Sequence, residues 1–178
     1  MTPPARPVSR QRPAGPTPGR TSRRVRVLVC GTEDRGDDWL GPAAVAALPA
    51  AAADLAEIRV VGQLGVDDLL TIPRGDPCLV VDAALGSTPG RLIVMPLERV
   101  AARAGADAIG PRTSHELPID QMLRLVEVLR GELPSGTFMG LCGLQFRYGR
   151  GLSRPVRAAL PAFTASIAAE ISRLAAGG

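Results

Sequence analysis

Three polar residues that could act together on a metal ion are Asp38, Asp82 and His115, the only histidine of the chain. Each follows a predicted strand or precedes a predicted helix. Two carboxylates and one imidazole form a donor set that suits Zn, Ni, Co or Mn, and three protein ligands leave positions on the ion for water or substrate. The set predicts a metal-seeking hydrolase. The alternative is that each residue only caps or satisfies the fold.

The sequence around the two aspartates predicts strands that deliver them to one edge of a sheet. Asp38 belongs to an acidic turn between the apolar run 25–30 and an alanine-rich helix opened by Pro42. Asp82 ends the most apolar run of the chain, 77–84, as a central strand covered on both faces would be. Open α/β proteins bind ligands at the carboxyl edge of the sheet, so we expect both carboxylates there.

The remaining apolar periodicity predicts an α/β fold. Further strands are predicted at 57–62, 91–95 and 137–146. Helices are predicted at 42–55 with a break near Pro49, at 66–70, at 121–130 after His115, and from a Ser153 cap towards the C-terminus. The turn 85–90 is too short for a parallel crossover, so the strand after it should lie antiparallel at an edge. We therefore expect three layers: a mostly parallel five-stranded sheet with one antiparallel edge strand, and helices on both faces.

Charge and composition divide the 178 residues into a tail and one domain. All 21 basic residues are Arg, and six of them lie among residues 1–24, which contain six Pro and no acidic residue. We expect this tail to be disordered and residues 25–178 to form a single domain. That domain carries 15 Arg against 17 acidic residues, so a nucleic-acid partner is not expected despite the net charge of +4. No run is long enough to span a membrane, and we expect a cytoplasmic protein.

Several nucleophile and metal alternatives fit the sequence poorly. The odd number of cysteines, each in or beside an apolar run, predicts small buried hydrophobic side chains rather than disulfides or a zinc site. Cys142 should therefore be inert. Ser114 and His115 are adjacent, so their side chains point apart and a Ser–His pair is not expected. Asp34, Asp37 and Asp38 could form a Mg²⁺ site, but no glycine-rich phosphate loop accompanies them.

The residues 31–41, Gly-Thr-Glu-Asp-Arg-Gly-Asp-Asp-Trp-Leu-Gly, resemble the Gly-Asn-x-x-x-x-Asp-Asp/Glu-Gly-x-Gly signature of the hydrogenase maturation proteases. These enzymes remove a C-terminal peptide from the large subunit of nickel–iron hydrogenase after nickel has been inserted. The similarity continues, in family order, through 80–90, through Thr-Ser-His-Glu-Leu at 113–117, and through 140–145 with 151–153. It covers nearly everything from residue 25 to residue 174.

The resemblance implies a role for each of the three polar residues. Carried over motif by motif, Asp38, Asp82 and His115 are the metal-contacting and catalytic residues, with Asp37 supporting them. It implies a phosphorylase/hydrolase-like fold and a cytoplasmic endopeptidase of aspartic or metal-dependent type, in which a metal-bound or metal-oriented water attacks the peptide bond. No permanent cofactor is expected, because the nickel arrives in the substrate, although Zn, Cd or another divalent ion could occupy the site.

The resemblance also implies the partners of the protein. The expected partner is a hydrogenase large-subunit precursor or a related nickel protein, with no nucleic acid and no membrane, and the protein itself is expected to be a monomer or a weak homodimer. Thr32 replaces the usual Asn of the signature, and Trp39 replaces the usual Gly beside Asp38, where an indole would narrow the cleft. These departures indicate a divergent member. The alternative function is a non-catalytic metal-binding or maturation-chaperone module of the same fold.

Overall fold

The computed structural model describes residues 24–103 and 118–177 of the chain. Its strands are β1 (Val25–Cys30), β2 (Ala56–Gly62), β3 (Cys78–Leu85), β4 (Leu92–Pro96) and β5 (Gly136–Gly143). Its α-helices are α1 (Leu40–Ala46), α2 (Ala50–Ala53), α3 (Val66–Leu70), α4 (Leu97–Ala101), α5 (Ile119–Arg130) and α6 (Arg154–Ala176), and a 3-10 helix (Gly36–Trp39) precedes α1. Most of the predicted elements are therefore confirmed, with small shifts at their ends.

The five strands form one sheet in the order β2-β1-β3-β5-β4. The first four of these neighbours run parallel to one another, and β4 pairs antiparallel with β5 at the edge. The predicted antiparallel edge strand is thus confirmed. It follows from the short turn after β3, because a parallel return would need a long crossover.

Helices cover both faces of the sheet, which confirms the three-layer prediction. Alternate side chains of β1 point to opposite faces, so Val27 and Val29 join a core cluster under α1 and α6, whereas Leu28 and Cys30 join one under α3, α4 and α5. The first seven residues of β3 are buried, as expected for a central parallel strand. Within the described residues, no helix is long and apolar enough to cross a membrane.

Some element boundaries differ from the sequence prediction. The acidic turn is not irregular, because Asp37 and Asp38 lie in the 3-10 helix, and α1 begins at Leu40 rather than at Pro42. The predicted break at Pro49 is confirmed, since α1 ends at Ala46 and α2 begins after that proline. Strand β5 ends at Gly143 rather than at residue 146. The predicted tail, residues 1–24, lies outside the described residues except for Arg24.

Candidate functional site

Asp82 lies buried within β3 and not at its end as predicted, because the strand continues to Leu85, although Asp82 is level with the end of the neighbouring β1. Val29 of β1 pairs with Val81 of β3, so Cys30 and Asp82 follow side by side on the neighbouring strands. Because side chains alternate along a strand, Asp82 points to the same face as Val80, the face covered by α3, α4 and α5. Its Oδ1 accepts the N–H of Ala83 at 2.7 Å, and the residue is only 1% exposed. The backbone therefore fixes this carboxylate beside the end of β1.

Asp38 reaches the same edge from the 3-10 helix after β1. Its Oδ2 accepts the backbone N–H of Thr32 at 2.9 Å and lies 3.8 Å from a guanidinium nitrogen of Arg35. The tight turn depends on Gly31, which has φ +121° and leaves no room for a side chain, since a Cβ would lie 2.0 Å from the Asp38 carbonyl oxygen. Any residue at position 32 supplies the N–H, so the change from Asn to Thr preserves this contact.

The buried thiol of Cys30 lies within the electrostatic influence of nearby carboxylates. Burial raises its pKa well above the ordinary value, and the negative charge of Asp82 raises it further. A hydrogen bond with the backbone of Leu64 opposes this effect, while the charges of Asp38 and Asp68 add to the rise. The backbone geometry places both carboxylates near the carboxyl end of β1, since Asp82 follows beside Cys30 and Asp38 accepts the N–H of Thr32. Their action on a metal ion stays a prediction.

His115, the third predicted ligand, lies outside the described residues, as does the whole segment 104–117. The next described residue is Pro118, which directly precedes α5. Helix α5 packs on the face of the sheet towards which Asp82 points. The role assigned to His115 therefore stays a prediction.

Asp37 holds the start of α6, where the sequence predicts a cap by Ser153. It is fully buried, and its Oδ2 accepts the N–H groups of Leu144 at 2.7 Å and Gln145 at 3.0 Å, while its Oδ1 accepts the N–H of Ser153 at 2.6 Å. Ser153 does precede α6, but its hydroxyl makes no capping hydrogen bond and is buried without a partner among the described residues. The prediction of a serine cap is therefore wrong in its chemistry: the carboxylate of Asp37 anchors the start of the helix.

The Mg²⁺ alternative finds no support in this geometry. The carboxylate oxygens of Asp37 face backbone donors, and Asp34 is exposed in a left-handed conformation with φ 63°. In the part of the chain that the structure describes, no group of three or more His, Cys, Asp or Glu side chains could hold a metal ion. This finding does not cover a metal site that includes His115, because His115 is not among the described residues.

The cysteines behave as predicted. Cys30, Cys78 and Cys142 are buried free thiols. Burial raises the pKa of Cys78 to about 12 and also raises that of Cys142, where the charge of Arg91 partly opposes the effect. Protonated thiols are poor nucleophiles, which agrees with an inert Cys142.

Part of the Trp39 side chain is buried in the hydrophobic core. It packs, partly buried, against the core cluster beneath α1 and α6, whereas Asp82 points to the opposite face of the sheet. The expectation that its indole narrows the cleft beside Asp38 stays a prediction. Its position fits a packing role for this departure from the signature.

A family model described as "HycI: Hydrogenase maturation protease" matches residues 45–170. The chain belongs to the hydrogenase maturation protease family. This confirms the resemblance inferred from the motifs and identifies the protein as a peptidase. No curated protein sequence matches the chain.

Solved structures of maturation proteases share this fold. The hydrogenase maturating endopeptidase HybD from E. coli is 24% identical, with a TM-score of 0.66 over 84% of this chain and 93% of that one. The NiFe hydrogenase maturation protease HybD from Thermococcus kodakarensis is 22% identical, with a TM-score of 0.62 over 80% and 95%. The HycI protease from Thermococcus kodakarensis KOD1 is 17% identical, with a TM-score of 0.58 over 86% and 95%.

Proposed function

We propose that this maturation protease recognises nickel in a hydrogenase large-subunit precursor and removes the C-terminal peptide of that precursor. Asp38, Asp82 and His115 are the proposed nickel-contacting residues. Membership of the family supports the reaction class. The observation that carries the residue assignment is the placement of both carboxylates at the carboxyl end of β1, with Asp82 beside Cys30 and Asp38 hydrogen-bonded to the N–H of Thr32.

The two carboxylates are suited to meet an ion that arrives with the substrate. Backbone N–H groups of Thr32 and Ala83 hold them in fixed orientations before anything binds. Preorganised oxygen ligands together with an imidazole accept Ni²⁺, and Zn²⁺ or Cd²⁺ would fit the same donors. In this proposal the nickel belongs to the substrate, so the protease keeps no permanent cofactor and cuts only precursors that are already loaded.

The proposed reaction is hydrolysis of one peptide bond. Water adds to the carbonyl carbon, the C–N bond breaks, and a proton passes to the leaving amine, which gives a new carboxyl terminus and a free peptide. The substrate nickel supplies Lewis acidity near that carbonyl. Asp38 and Asp82 fix the ion relative to the scissile bond, which makes the proposed subtype metal-dependent. Misplacing either carboxylate should therefore slow cleavage even when the precursor still binds.

The test is cleavage of a nickel-loaded precursor by the full chain, followed by mass spectrometry. Asp38→Asn removes one charge with almost no change of shape. Asp34→Asn is the matched control, because Asp34 lies in the same loop, is exposed, and has a positive φ that Asn tolerates. We expect Asp34→Asn to cleave like the wild type and Asp38→Asn to lose activity by about a hundredfold or more.

Wild-type rates in the Asp38→Asn variant would contradict the assigned role. If the wild type binds the loaded precursor but never shortens it, the alternative of a non-catalytic metal-binding or maturation-chaperone module would replace the proposal. Circular dichroism of each variant shows whether it is folded.

A further inference from the structure

The connection between β5 and α6 carries a concentration of positive charge. Residues 133–169 contain four Arg and no Asp or Glu, although the chain from residue 25 onward has an excess of acids. Arg147, Arg150 and Arg154 are exposed, and none of them forms an ion pair with a described residue. Two exposed acids of the adjoining loop, Glu33 and Asp34, reduce the local positive charge, but exposed arginines without an ion pair still attract acidic partners. We call Arg147, Arg150 and Arg154, together with Leu144 and Tyr148, the basic rim.

The two apolar members of the basic rim are largely exposed. Leu144 is 61% exposed and Tyr148 is 72% exposed. Tyrosine and arginine are both enriched at protein interfaces, where an aromatic ring supplies contact area and the guanidinium supplies directed hydrogen bonds. The mixture of apolar and cationic groups indicates a partner with both apolar and acidic side chains.

The loop that carries the basic rim is held in place by the loop that carries Asp38. Gly36 donates its N–H to the Arg150 carbonyl oxygen at 2.8 Å, and Gly149 donates to the Asp34 carbonyl oxygen at 2.8 Å. The carboxylate of Asp37 adds three more hydrogen bonds from backbone N–H groups of residues 144, 145 and 153. A surface fixed in this way loses little entropy when a partner binds.

The basic rim is continuous with the candidate site. The guanidinium of Arg35 stacks over the ring of Tyr148, 5.8 Å from its centroid, and also pairs with Asp38 at 3.8 Å. One side chain therefore connects the rim to a proposed nickel-contacting carboxylate. A polypeptide seated on the rim would pass beside Asp38.

We propose that the basic rim docks an acidic, apolar-containing segment of the large-subunit precursor, outside the bond that is cut. This inference rests on the proposed function. A second copy of the chain would bring the same positive loop, and the tail 1–24 has six Arg and no acid, so charge disfavours both as occupants. A nucleic acid would satisfy the charge alone, but exposed Leu144 and the adjacent peptidase site favour a polypeptide.

The test compares two charge reversals of equal size in the full chain. Arg147→Glu with Arg150→Glu changes the basic rim, and Arg99→Glu with Arg124→Glu makes the same net change on α4 and α5, on the opposite side of the sheet from α6. Binding of a nickel-loaded precursor is measured by surface plasmon resonance at several salt concentrations. We expect the rim variant to associate about tenfold more slowly or worse, with a weaker salt dependence, and the α4/α5 variant to bind like the wild type.

Cleavage is measured separately, so that the two proposals can fail independently. The rim variant should show a raised KM and an unchanged kcat, because its substitutions do not touch the reacting groups. Normal precursor binding by the rim variant overturns the docking proposal even if the wild type cleaves. Binding of a short RNA or DNA is measured in the same way. If the rim variant loses this binding but binds the precursor normally, the docking proposal is overturned and a nucleic acid is identified as the ligand. Docking without cleavage would instead refute only the proposed function.

Discussion

The two ends of the sheet hold their carboxylates by different chemistry. At the amino end, Glu170 accepts hydrogen bonds from Arg173 at 2.6 and 2.8 Å and from the Thr137 hydroxyl at 2.5 Å. At the carboxyl end, Asp37 accepts three backbone N–H groups between 2.6 and 3.0 Å. One end neutralises charge with charge, whereas the other uses the backbone itself to orient acids.

The amino end shows what a structural acid looks like in this fold. Arg26 at the start of β1 pairs with Glu57 of β2 and with Asp76, the latter at 2.8 Å. Every contact there joins side chains that other residues could replace. At the carboxyl end Asp37, Asp38 and Asp82 each accept at least one backbone N–H group, and Asp38 also pairs with Arg35, so the chain path and the carboxylate positions depend on each other. That dependence is what a site needs if its geometry must be fixed before substrate arrives.

Among the variants that distinguish the two ends of the sheet, Asp37→Ala should lower the free energy of unfolding most. The substitution leaves one buried and two part-buried N–H donors without this acceptor, and an unsatisfied buried donor costs about 1 to 3 kcal/mol, so the free energy of unfolding should fall by about 2 kcal/mol or more. Urea denaturation measures the change. Because the loop that carries Asp38 would also lose its anchor, cleavage should fall in the material that stays folded.

A matched comparison for Asp37 is Asp37→Asn, which keeps one acceptor oxygen but turns an amide NH₂ towards other donors. It should lie between the wild type and Asp37→Ala in stability. If the alanine variant unfolds at the wild-type urea concentration, the backbone anchoring described here is wrong.

A smaller effect is expected from Glu170→Gln at the amino end. Hydrogen bonds from Arg173 and from the Thr137 hydroxyl, together with the charge of Arg173, outweigh the effect of partial burial and hold the pKa of Glu170 below its ordinary value of 4.5. A lowered folded-state pKa means that ionised Glu170 stabilises the fold above the ordinary value and that this contribution is lost as the pH falls through both values. The variant should be less stable at pH 7 by about 1 kcal/mol or less, since much of the pair is solvent-screened.

The dependence of thermal stability on pH tests whether Glu170 stabilises the amino end of the sheet through its charge. Thermal denaturation of wild type and Glu170→Gln should differ at neutral pH and converge only once the pH has fallen below the lowered folded-state pKa of Glu170, while cleavage at neutral pH stays unchanged. A constant difference in stability at all pH values would mean that the pair contributes by packing rather than by charge.

Local patterns explain why the fold and Asp82 could be predicted. The alternation and length of apolar runs identify strands, the short turn after β3 requires an antiparallel neighbour, and a carboxylate in an otherwise apolar central strand has no packing role. The position of Asp38 was predictable because it lies in the short turn after β1, while its role on a metal ion stays a prediction. These signals lie within a few residues of the features they predict.

The role of Asp37 could not be predicted, because its partners are far away in sequence. Leu144 lies 107 residues from Asp37, and Ser153 lies 116 residues away. A serine before a helix looks like its cap in sequence, and only the fold reveals that a distant carboxylate occupies that position. The contact of Trp39 with the core cluster beneath α1 and α6 was missed for a related reason, since the other members of that cluster are distant in sequence.

The central claim, that Asp38 and Asp82 converge with His115 on a single ion, is tested most directly by anomalous diffraction from crystals soaked in Cd²⁺. The account predicts one strong peak at the carboxyl edge of β1 and β3, within bonding distance of an oxygen of each carboxylate and of a nitrogen of His115, and its loss in Asp82→Asn. A peak that contacts neither carboxylate, or one that survives Asp82→Asn at the same position, would contradict it.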